Sequence, residues 1–189
     1  MPNSDQPLPP PPKTPARRRW LRRAAEVALV LVVILGVRAY QQRDIVTGPA
    51  PALAGVLLDG KPFTLTPIAG QPQLVHFWAS WCPICRAEQG SIAALARDYP
   101  TVTVAMQSGS DDEVVRYLQK EALSFPVLND PEGALAAQWG VRGVPASFIV
   151  DEAGQVRFVE IGYTTEIGLR LRLWLARVWA TPVTVNASE

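Results

Sequence analysis

Cys82 and Cys85 are the only cysteines in the 189-residue chain, and two residues separate them. They follow an apolar run, Leu74 to Trp78, that reads as a buried strand. After them comes a mixed polar and apolar stretch, Arg86 to Arg97, that reads as a helix. A dithiol at a strand-to-helix junction constrains both fold and chemistry. The first turn of a helix presents N–H groups without intrahelical partners and a partial positive charge, and both favour a thiolate over a thiol. With Cys82 as N-cap, Pro83 takes the first helical position, where its missing N–H costs nothing. Cys85 then falls within the first turn, in reach of a disulfide to Cys82. The expected division is an exposed, acidic Cys82 that attacks and a shielded Cys85 that resolves. As a structural clamp the pair would close only a tiny loop, and roughly 140 residues bury a core without one. Chemistry is the better explanation.

The net charge of +1 sums two unlike parts. Residues 1–47 carry Lys13 and seven arginines against Asp5, Glu26 and Asp44, a net +5, while residues 48–189 are net −4. The second part has no basic stripe, which argues against nucleic acid as a partner. Residues 1–16 hold seven prolines and almost no large apolar side chains, as a solvated tail does. Arg17-Arg18-Arg19-Trp20-Leu21-Arg22-Arg23 then stands before the apolar run Val27 to Val37, the order of charges that keeps an N-terminus in the cytoplasm. Eleven apolar residues make about 16 Å of helix against a hydrocarbon core of roughly 30 Å. That length suits a signal-peptide core cut near Val37-Arg38-Ala39. Extended to Leu21–Tyr40, the segment reaches about 30 Å, with arginines snorkelling at its ends. We expect the uncleaved anchor; either reading places the remainder outside the cytoplasm.

Further along, Gly48-Pro49-Ala50-Pro51 marks a linker, and Val56 to Leu65 reads as a hairpin turning at Asp59-Gly60. Val102–Met106 is a second buried strand, and Asp111-Asp112-Glu113 opens a helix to about Ala122. Phe125–Leu128 is a short extended piece. Asp130-Pro131 predicts an N-cap and first-position proline for a helix through Trp139. Ser147–Val150 and Gln155–Ile161 form a strand pair around Asp151-Glu152-Ala153-Gly154. Ile167, Leu171, Trp174, Leu175 and Val178 recur at helical spacing, predicting a final helix that buries this stripe in the core.

Phe77-Trp78-Ala79-Ser80-Trp81-Cys82-Pro83-Ile84-Cys85 resembles the active-site signature of the thioredoxin superfamily. Gly143-Val144-Pro145-Ala146-Ser147-Phe148 is similar to the cis-proline loop that faces the dithiol in that fold. Arg86-Ala87-Glu88 is similar to the membrane-tethered TlpA/ResA-like branch, and residues 48–180 resemble its ScsD-type (copper-sensitivity suppressor) members. The resemblance implies a thioredoxin-like α/β sandwich, a central mixed sheet flanked by helices, with element order β-α-β-α-β-β-α and an N-terminal transmembrane helix. The expected organisation is a disordered cytoplasmic tail at 1–20, an anchor or signal sequence at 21–40, a linker at 41–52, the thioredoxin-like domain at 53–181 and a tail at 182–189. It implies a single-pass protein of the bacterial inner membrane with its catalytic domain in the periplasm. No cofactor is implied beyond the dithiol. The implied partners are exported proteins with thiols or disulfides and a transmembrane dithiol electron donor of DsbD/ScsB type.

The resemblance also assigns roles. Cys82 and Cys85 are the redox pair; Val144, before a cis Pro145, offers main-chain groups to an extended substrate; Trp81 borders the substrate groove. Glu88 shares a helix face with Cys85 and either modulates the dithiol or is a solvated carboxylate. His76 departs from the pattern, standing where thioredoxins place a buried Asp. It is either a hydrogen-bonded core histidine or a proton acceptor for Cys85. Zinc takes four protein ligands, or three plus water; the chain offers two thiols and one histidine, and His76 should lie inside the strand before them. Copper(I) suits two thiolates, so a copper-binding thiol chaperone is the rival reading, with a non-catalytic peptide-docking module as the other. Pro83-Ile84 lacks a histidine that would favour a strongly oxidising pair, which leans towards a reductase or isomerase.

Overall fold

The computed structural model describes residues 20, 21, 23–30, 32, 33 and 46–179. Residues 1–43 and 44–189 are separate units. In the first unit every described residue is helical, with Val27, Leu29, Val30, Val32 and Val33 more than half exposed. Among the described residues no helix is long and apolar enough to cross a membrane. Arg22, Leu31 and residues 34–40 of the predicted anchor lie outside the described residues, as do residues 1–19, 41–45 and 182–189.

The second unit is built on a six-stranded sheet of order β1-β8-β7-β4-β5-β6. Its strands are β1 (Gly48–Pro49), β4 (Gln73–Trp78), β5 (Thr101–Met106), β6 (Val127–Asp130), β7 (Ala146–Val150) and β8 (Gln155–Ile161). β4, β5 and β6 run parallel; β7 is antiparallel to β4, and β8 to β7. A separate hairpin joins β2 (Ala54–Val56) to β3 (Pro62–Thr64). It turns where predicted, with Gly60 at φ 83° in the left-handed region that a Cβ disfavours.

β4 is buried along its whole length, and its side chains alternate between two cores. Val75 and Phe77 face the layer containing Leu53 and Trp139, together with the short helix α3 (Ala134–Gln138). Leu74, His76 and Trp78 face the other layer, formed by α1 (Pro83–Asp98), α2 (Asp111–Lys120) and α4 (Glu166–Val178). α2 starts on a complete capping box, Ser110 with Glu113, two residues reciprocally satisfying exposed N–H groups.

Two expectations are corrected. The helix predicted from Asp130-Pro131 is shorter, because Asp130 pairs with Met106 as the last residue of β6. Its carboxylate still caps, reaching over the turn to accept from Leu135 N at 3.1 Å and Ala136 N at 2.9 Å. The larger correction concerns α4. Leu169, Leu173 and Ala176 form its buried face, while Ile167, Leu171, Trp174 and Val178 are 80%, 53%, 54% and 56% exposed. The stripe predicted as core, apart from half-buried Leu175, points away from it.

Candidate active site

Cys82 is the N-cap of α1, with extended backbone (φ −86°, ψ 114°) and Pro83 in the first turn. Its sulfur accepts from the Cys85 N–H at 3.1 Å, and the two cysteines are joined as a disulfide with Cα atoms 5.3 Å apart. The β4–α1 connection that delivers them is tied down twice. Ser80 N donates to Ser108 Oγ at 3.0 Å, and the Trp81 indole donates to Gln107 O at 3.0 Å. Both anchors belong to the loop after β5.

The predicted contrast between the sulfurs does not hold here: Cys82 is 4% and Cys85 3% exposed. Cys82 is covered because the loop before β7 closes over it, leaving its sulfur 3.7 Å from the Val144 carbonyl oxygen. The Val144–Pro145 bond is cis, as expected. Around this covered disulfide the surface is apolar, with Trp81 61% and Ile84 49% exposed. Trp78, by contrast, lies in the core, donating to Thr103 Oγ1 at 3.1 Å and packing against Tyr117 and Phe125.

Below the disulfide the structure brings His76 and Glu88 together. Glu88 lies one turn beyond Cys85 on the core face of α1 and is 1% exposed, so it is not a solvated carboxylate. Its Oε2 accepts from Thr164 N at 2.9 Å, and its Oε1 lies 3.6 Å from His76 Nε2. Burial pushes the Glu88 carboxyl up to about 7, the Thr164 N–H pulling the other way. His76 Nδ1 lies 2.9 Å from Ser147 Oγ, and burial pulls its imidazole down to about 3. A small space of about 10 Å³, lined by His76, Trp78, Cys85, Gln89, Ile92 and Phe125, is close to the room one water needs. At neutral pH, then, a neutral imidazole and a carboxyl near half-protonation sit on the Cys85 side of the disulfide.

Two partners escaped the sequence reading. Ser147 is a lone hydroxyl in the strand Ala-Ser-Phe-Ile-Val, and its register opposite His76 was the available signal. Thr164 contributes a main-chain N–H, for which no side-chain signal exists. Among the described residues no three His, Cys, Asp or Glu side chains group as metal ligands.

The redoxin family profile matches residues 45–168. The chain belongs to the redoxin family. It is similar to a thioredoxin-like protein of Haemophilus influenzae, 30% identical over 161 residues, covering 84% of this chain and 96% of that one. It is also similar to the thiol:disulfide interchange protein DsbE of Allochromatium vinosum, 31% identical over 156 residues, 79% of this chain and 86% of the relative. Among solved structures, a thioredoxin-family thiol:disulfide interchange protein from Chlorobium tepidum superposes with a TM-score of 0.60 at 27% identity, covering 71% of this chain and 99% of that one. The fold is thioredoxin-like, and the protein is a thiol–disulfide oxidoreductase of the DsbE/ResA/StoA type.

Proposed function

We propose that this redoxin reduces or isomerises disulfides in exported proteins, held to the outer face of a bacterial inner membrane by an anchor over residues 21–40. The observation that carries the reading is the Cys82–Cys85 disulfide at the start of α1, its outer sulfur against the Val144 carbonyl. In the reduced protein the unpaired N–H groups of that helix end favour a Cys82 thiolate. The thiolate attacks one sulfur of a substrate disulfide, forming a mixed disulfide and expelling the other sulfur as a thiolate. Cys85, deprotonated, then attacks the Cys82 sulfur and releases the second substrate thiol. Two electrons pass to the substrate, and the enzyme is left oxidised.

Cys85 must lose a proton in that second step, and reduction of the disulfide returns one. In the proposed mechanism Glu88, with His76 beside it, holds that proton. In this reading Trp81, Val144 and Pro145 form the docking edge, an extended substrate pairing with the Val144 main chain. A transmembrane dithiol carrier of DsbD/ScsB type resets the disulfide. The finer assignment is ScsD-type, its substrates being thiols mispaired under copper stress.

Mixed-disulfide trapping with Cys85→Ala tests the exchange step: covalent adducts with exported proteins are expected, and their absence reduces the protein to a docking module. The reduction potential fixes direction, a value near −270 mV marking a reductant and one near about −120 mV an oxidant. Stoichiometric copper(I) binding to the reduced protein that blocks insulin reduction would replace this reading with a copper chaperone.

A further inference from the structure

α4 is apolar on two opposite faces. At about 100° per residue, Leu169, Leu173 and Ala176 cluster on one side, and Ile167, Trp174, Val178 and Leu171 cluster nearly opposite. The first group is buried and the second is more than half exposed, with Trp179 beyond it 63% exposed. Scattered surface apolar residues need no explanation, but a continuous strip of them does. This one runs about 16 Å along the helix.

Two of the basic side chains on its borders already have their charge matched. Arg170 meets Asp98 at 2.6 Å and Glu166 at 2.8 Å, and Arg172 meets Glu160 at 2.6 Å. The strip also has a defined direction. Its N-terminal end adjoins Thr164, whose N–H holds Glu88 one turn from Cys85. At its C-terminal end Ala176 and Arg177 share a crevice with Glu152 of the β7–β8 turn. The chain enters the domain at that same turn, since Gly48 and Pro49 pair with Val156 and Gln155, and Ala50 N donates to Gly154 O.

We propose that this face of α4 lies in the interfacial layer of a lipid bilayer, placing the dithiol beside the membrane. This deepens the tethered reading and rests on it. On that reading the anchor ends at Tyr40 and only five residues separate it from Val46, a reach of about 20 Å when fully extended, so an anchored chain keeps the tether end of the strip near the surface. Aliphatic side chains with tryptophan at an arginine-bordered edge suit the interfacial layer. A second copy is a poorer occupant, because a stable dimer buries roughly 800 Å² on each partner over 20–30 residues, well beyond four or five side chains. With Arg170 and Arg172 already paired, the face calls for little anionic lipid.

The test is Trp fluorescence quenching by brominated lipids, with the full reduced chain in phosphatidylcholine vesicles. Trp174→Phe and Trp20→Phe each remove one probe while keeping its site apolar. The expected result is that Trp174→Phe loses a share of the quenching, and that Leu171→Glu abolishes that share. If Trp20 contributes and Trp174 does not, the tether stands and the docking of α4 is overturned. If Trp174 contributes and Trp20 does not, the docking stands and the anchor fails. Quenching of neither overturns both. A dimer in detergent that Leu171→Glu dissociates, with Trp174 unquenched, assigns the face to a second copy and overturns the proposal.

Discussion

α1 and α4 pack on the same face of the sheet and share one core, yet they sort their side chains in opposite ways. α1 buries Glu88 among Cys85, Ile92 and Leu95, whereas α4 leaves Ile167, Leu171, Trp174 and Val178 in solvent. Each arrangement costs free energy for the isolated fold, through a desolvated carboxyl in one helix and unburied apolar area in the other. In the proposed mechanism the buried acid holds the proton that Cys85 gives up. The exposed apolar strip has no cover within the described domain, and the proposed docking would supply one.

The contrast can be broken most sharply by activity. Cys82→Ser at the head of α1 should reduce insulin-disulfide turnover to the uncatalysed background, and Leu171→Ser on the outer face of α4 should leave it unchanged in solution. Next in size, Leu173→Ala, at a fully buried position, should destabilise by about 2–5 kcal/mol in urea unfolding. A comparable loss from Trp174→Ala would mean that the outer face is packed after all.

The third test is a pH dependence. Glu88, raised to about 7 from 4.5, makes stability fall as pH rises through that window, because the folded state keeps a proton the unfolded chain has released. His76, lowered to about 3 from 6.5, makes stability fall as pH drops through its own window, because the unfolded chain takes up a proton the folded state refuses. Between pH 4.5 and 6.5 the two slopes oppose, with one proton on the pair in either state. Glu88→Gln should uncover the histidine's slope. Its stability relative to the unaltered protein should fall by about 1.4 kcal/mol for each pH unit lost across that range. A flat difference would mean that Glu88 is ionised when buried. The smallest effect is Trp174→Ala itself, expected within about 0.5 kcal/mol.

The dithiol, its strand, its helix and the loop facing it were legible because each carries a local signal: two cysteines at fixed spacing, Pro83 at a helix start, and Val144-Pro145 before a strand. The Asp59-Gly60 turn was legible for the same reason. α4 was not, because Ile167–Leu171–Trp174–Val178 and Leu169–Leu173–Ala176 both recur at helical spacing, and periodicity alone does not say which face meets the sheet. The larger side chains drew the prediction to the wrong side. The Asp130 cap was misplaced by a longer-range effect, the pairing of β6 with β5, which holds its backbone extended. The Glu88–His76 pairing needed the tertiary fold, since one residue comes from α1 and the other from the centre of β4.

Pro145 O accepts from Gly162 N at 2.8 Å, and two residues later Thr164 N reaches Glu88. The segment that braces the cis-proline loop is thus the one that steadies the acid behind the sulfurs. Inserting or deleting a single residue between Gly162 and Thr164 would disturb both hydrogen bonds at once, and with them the docking edge and the proton holder of the proposed mechanism. Evolution, or an engineer, has little freedom there to retune one without the other.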